Sequence, residues 1–140
     1  MNCKRFFAAA IVVFVVLEAM EFVINNYLMM ATYEALKSVW RPEAEMTQKM
    51  WIFHPVMLLS MLLFVYIFIK GREGRGVCEG VRYGLIMWLY VSVPFSLSLH
   101  VLFPIPFSLS LQWMAIGFVE MIIAGVLTAA IYKPAAPKAA

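Results

Sequence analysis

A run from Phe6 to about Met30 constrains this chain most: it is apolar enough to enter a bilayer, yet it carries Glu18, Glu21 and Asn25. Steps of three and four residues stack those side chains on one helical stripe. A carboxylate facing lipid is very expensive, so the stripe is expected to face protein, water or a ligand.

A spanning helix needs roughly 20 apolar residues. Four segments meet that length: 6–30, 50–69, 81–103 and 107–132. Hydrophobic residues make up 64% of the chain and charged residues 14%, with a mean hydropathy of +0.87. Soluble domains hold about 45–50% apolar and about 25% charged residues, so this composition points to an integral membrane protein. The runs are continuous rather than alternating, which excludes a transmembrane barrel. The expected fold is all-α: an up-down four-helix membrane bundle forming one domain over residues 1–133. A Pro/Ala-rich tail, residues 134–140, is expected to be disordered.

Basic residues are unevenly distributed. Lys4, Arg5, Lys70, Arg72, Arg75, Arg82, Lys133 and Lys138 flank one side, Lys37, Arg41 and Lys49 the other. By the positive-inside rule, both termini are expected to be cytoplasmic. The scattered flanks form no groove for nucleic acid, and the expected partners are the lipid bilayer, a second copy or a larger membrane complex. Cys3 and Cys78 fall on the reducing side and carry no metal spacing. No cleavage site follows the first run, which is therefore expected to remain as an anchor.

The outer connection, Ala31 to Lys49, holds Tyr33, Leu36 and Trp40 at roughly helical spacing, opposite Glu34 and Lys37. This predicts a short amphipathic helix on the outer surface, with Trp40 at headgroup depth. Pro42 opens the next helix, and Glu43 and Glu45 suit its positive end. His54-Pro55 is expected to kink the second span and Pro94 the third. Gly71, Gly74, Gly76 and Gly80 suggest a flexible basic turn, and Gly80 with Gly84 a close helix approach. A hexamer, Pro94 to Leu99, recurs as Pro106 to Leu111 on either side of Pro104-Ile105-Pro106 and reads as biased composition at a hairpin.

The fourth span places Gly117, Glu120, Ala124 and Thr128 on one face. In an up-down bundle the first and fourth helices are neighbours, so Glu18 and Glu120, both near mid-bilayer, are expected to meet. Each ionised acid there costs about 2.5–3.5 kcal/mol, so the two do not both ionise, and a shared proton or a cation settles the pair. Glu18, Glu21, Asn25 and Glu120 form the candidate proton or ligand site. His54 and His100 form a candidate cap on its outer side, and could ligate haem or join Glu21 and Asn25 around a metal. They lack paired ligand spacing on one helix, however, and no cofactor is expected. The eleven methionines serve as apolar filling rather than copper ligands. No nucleophile–base pair or phosphate loop is present, which argues against an enzyme. The leading expectation is a small accessory or binding membrane protein with an intramembrane acidic cluster. The alternative is a proton- or cation-coupled transporter using Glu18 and Glu120.

Several stretches carry a resemblance: Tyr33-Glu34-Ala35, Val39 through Met46 (VWRPEAEM), Lys70 to Gly74, Pro104-Ile105-Pro106 and Val119-Glu120-Met121. Over nearly its whole length the chain resembles a family of small four-span bacterial inner-membrane proteins without an established activity. The resemblance implies four helices and a place for Glu120 in the pattern, and nothing about substrate. Small multidrug-resistance transporters also place a glutamate midway along their first helix, but their other motifs are missing here.

Overall fold

The computed structural model describes residues 2–132, so the expectation for the tail at 134–140 lies outside the described residues. Among the described residues every regular element is helical: α1 (Cys3–Val23), α2 (Met30–Ala35), α3 (Glu43–Lys49), α4 (Phe53–Lys70), α5 (Val77–Met87), α6 (Val93–Leu102) and α7 (Phe107–Ile131). With the tighter or wider turns that continue them, α1 and α3 to α7 make four helices long and apolar enough to cross a membrane: Cys3–Leu28, Glu43–Lys70, Val77–Leu102 and Phe107–Ile131. The first three reach beyond the apolar runs at one end or both because capping and charged residues continue the helical ladder into the interface. Asn2, for example, caps α1 by accepting from the Arg5 amide.

Three spans interrupt their α-ladder away from the end that holds the described termini, whereas α7 runs unbroken. The first span finishes in a π-turn, Ile24–Leu28, with the Met29 amide donating to Ile24 O at 2.8 Å. The second passes through a 3₁₀ turn, Met50–Ile52, directly before α4. Pro55 then falls in the first turn of α4, where a missing N–H leaves no bond unmade. The third span has a π-turn at Trp88–Ser92 just ahead of Pro94. A local change of helix pitch thus precedes each proline where a kink is expected. Such π-turns mark strained or functional places in helices.

The core is split by level. At the terminal end, Phe6, Ala9, Ala10, Val13 and Leu17 of α1 pack against Met61, Phe64 and Val65 of α4 and Ala124 of α7. Alanines at 9 and 10, fully buried, let the helices approach closely. The first and fourth spans are pinned antiparallel here: the Asn2 amide donates to the Tyr132 hydroxyl at 3.3 Å, and Arg5 Nη1 to Ile131 O at 3.2 Å. At the opposite end Ile24, Met29, Ile105 and Leu109 form a second cluster, roofed by Tyr33, Leu36 and Trp40.

The third span packs on α7 through the glycines. A methyl added at Gly80 would stand 2.8 Å from Ala129 Cβ, and one at Gly84 would stand 2.9 Å from Ile122 Cα. Large apolar side chains such as Phe22, Leu59, Tyr90 and Val101 point outward, as a lipid solvent allows. This is the architecture of a small multi-pass helical membrane protein.

Candidate functional site

The acidic stripe of the first span divides between two neighbours. Leu17 and Ile24 mark the buried face of α1 and its π-turn. Glu21 lies about 40° from Leu17 around the helix and so turns toward the bundle, while Glu18 lies about 100° away and turns toward α4. There His54 Nδ1 meets Glu18 Oε2 at 2.9 Å, with the histidine side chain 62% and the glutamate 29% exposed. Glu18 therefore pairs with the second span rather than with Glu120.

Glu120 is buried on α7, and its Oε1 has no hydrogen-bond partner. The acid whose charge reaches it is Glu21. Glu21 itself accepts from Asn25: the amide Nδ2 lies 2.6 Å from Glu21 Oε2 and 2.8 Å from Glu21 O. Asn26 repeats the backbone contact, donating to Phe22 O at 2.8 Å. The two asparagines thus fill the carbonyl positions where the first span loosens into its π-turn.

The roof over this level was only partly expected. α2 is six residues long, and Glu34 and Lys37 pair on its exposed side at 2.6 Å. Its amphipathic character is as read from the sequence. The Trp40 ring sits 6.2 Å from Trp113 of α7 and 6.0 Å from Tyr33, edge-on to the latter, contacts that the spacing within the outer connection does not foretell. Trp113 Nε1 donates to the Tyr33 hydroxyl at 3.0 Å. Burial raises the Tyr33 phenol above its ordinary value, the bond from Trp113 pulls it down, and the charge of Glu21 pushes it up again. Tyr33, held by Trp113, is thus an electrostatic neighbour of Glu21, a role no spacing rule on one helix signals.

His100 does not join His54. Its Nδ1 lies 2.8 Å from Ile105 O, and its ring leans on Phe107 at 5.5 Å, both within its own hairpin. Among the described residues no group of three histidine, cysteine or acidic side chains is gathered as a metal would require. The proposed cap of two histidines therefore reduces to His54 beside Glu18.

Comparison with family models, curated proteins and solved structures returns no match. The class, a four-span helical membrane protein, follows from the fold, and its chemistry is argued from Glu18, His54, Glu21, Asn25 and Glu120.

Proposed function

We propose that this chain is a small, non-catalytic binding or accessory protein of a bacterial inner membrane, with both termini cytoplasmic. Its bundle holds a proton or a hydrogen-bond-donating cationic group at Glu120, with Glu21 and Asn25 alongside. One observation carries the reading: the Glu120 carboxyl is buried, and Oε1 lacks any protein donor. A bare carboxylate in that position costs several kcal/mol, and a proton or a bound donor removes the cost. The uneven Lys/Arg distribution supports the orientation. The helix faces left to lipid are available for self-association or for a larger membrane complex.

A native mass measurement on detergent-purified protein, paired with Glu120→Gln, tests this reading. Glutamine supplies its own donor, so the variant is expected to keep the wild-type assembly while losing any bound cation. Dissociation of the assembly in Glu120→Gln would count against it.

A second reading, a proton-coupled transporter, has its own observation in its favour. Glu18 and His54 are paired across the first and second spans, and His54 follows the 3₁₀ turn that breaks the second. Proton flux under an imposed pH gradient, abolished by Glu18→Gln or Glu120→Gln, would establish that reading instead.

A further inference from the structure

The end of the bundle that holds the described termini carries a second polar assembly, separate from the acid centre. Glu79, in the first turn of α5 and only 4% exposed, organises it. Its carboxylate accepts from the backbone amides of Gly74 and Arg75, each at 2.9 Å, and from that of Glu73. Gly74 and Gly76 turn the loop with φ of 84° and 67°. The expected basic turn is wrapped around a buried anion. Glu73 pairs in turn with Arg82, and with Arg75 at 3.0 Å.

Beside this loop the second and third spans meet through Tyr83. Its hydroxyl donates to Phe64 O at 2.6 Å, and its ring contacts Phe64 and Phe68 edge-on. Next to that contact lies a groove of about 220 Å³, walled by Ile67, Phe68 and Ile86, with Gly71 and Arg82 at its mouth. Arg82 and Glu79 both line the groove, and the Glu79 charge is already met by three amides; Lys70, Arg72 and Arg75 lie close by in sequence and add to the basic character of the loop. The Glu73 contact occupies one nitrogen of the Arg82 guanidinium, whose side chain is 47% exposed. The rest of the guanidinium fork matches a phosphate.

We infer that this groove seats one anionic phospholipid, its upper acyl carbons along Ile67, Phe68 and Ile86 and its phosphate at Arg82. A basic pocket between spans at the membrane surface is the setting in which acidic head groups are held. The apolar walls select a lipid over free phosphate, which has nothing to place against them.

The test is lipid retention by the delipidated full chain in detergent, read by native mass measurement after adding phosphatidylglycerol or phosphatidylcholine. Wild type is expected to retain phosphatidylglycerol in preference. Arg82→Gln should lower that retention about fivefold, the effect of one interfacial cation, and lower phosphatidylcholine, whose choline offsets its phosphate, by less. Glu73→Gln frees Arg82 and should raise phosphatidylglycerol retention, a direction that simple disruption of the loop would not give. Ile86→Trp fills the groove, leaves every charge in place and should lower retention of phosphatidylglycerol. Equal retention of the two lipids by wild type would overturn the inference. So would parallel losses in Arg82→Gln and Glu73→Gln, or displacement of the lipid by inorganic phosphate.

Discussion

His54 Nδ1 lies 2.9 Å from Glu18 Oε2, joining the second span to the first at a level where the second span has just changed pitch. A double-mutant cycle with Glu18→Gln and His54→Gln, followed by unfolding in detergent, should give a coupling energy of about 0.6 kcal/mol, the average found for polar contacts between membrane helices. A coupling indistinguishable from zero would mean that the contact does not hold the two spans together.

Packing of the third span on α7 makes a sharper forecast. Gly80→Ala brings a methyl to 2.8 Å from both Ala129 Cβ and the Gly125 carbonyl carbon, and backbone cannot give way cheaply. A loss of about 1–3 kcal/mol is expected, as for overpacked cores. Gly71→Ala is the control, because its new methyl would meet nothing nearer than Ile67 O at 3.8 Å. Its thermal midpoint should stay at the wild-type value.

The Glu79 carboxylate holds the loop through three backbone amides. Glu79→Ala should cost about 2 kcal/mol of local stability, since bonds to a buried charge are among the stronger ones. Trypsin cleavage at Arg72 and Arg75 reads this directly: the variant should be cut markedly faster, while cleavage elsewhere stays unchanged.

Glu73 gives the pH dependence. The hydrogen bond from Arg82 is the largest cause holding its carboxyl below the ordinary value of 4.5. A depressed folded value stabilises above the unfolded value and loses that contribution as pH falls through the folded one. The loop should therefore stay intact on acidification past 4.5 and loosen only below it. In Arg82→Gln the Glu73 carboxyl should titrate closer to the ordinary value, as followed by NMR.

Tyr33 and Trp113 tie the roof to α7 through one hydrogen bond at 3.0 Å. Tyr33→Phe should weaken the roof by about 1 kcal/mol. Because the Tyr33 phenol titrates above its ordinary value of 10.0, the roof should be firm below that pH and open as pH rises through the higher folded value. Trp113 fluorescence against pH reports both effects.

Much of the architecture is legible in the sequence because lipid imposes simple rules. Long apolar runs define the spans, and Gly80 with Gly84 marks a close approach. The small-residue face of α7 places Glu120 inside. What stayed hidden depends on helix rotation and on contacts between distant segments. Glu18 and Glu21 differ by about 60° around the axis, enough to send one toward α4 and the other toward α7. Spacing alone groups them on one stripe. Trp40 makes its ring contacts with Trp113 and Tyr33, and the one with Trp113 of α7 is beyond what an amphipathic pattern within one connection can specify. Glu79 was overlooked altogether; an acid just after a glycine-rich run, at the start of a helix, is the signal that could have flagged it.

The most direct measurement of the central claim is the infrared carbonyl stretch of protonated carboxylic acids in the membrane-reconstituted protein. Wild type stripped of any bound cation is expected to show a band from an acid without a hydrogen-bond donor on its carbonyl oxygen. That band should vanish in Glu120→Gln and persist in Glu18→Gln. A wild-type spectrum without such a band, or one unchanged by Glu120→Gln, would contradict the placing of Glu120 as the buried, partnerless acid at the heart of the bundle.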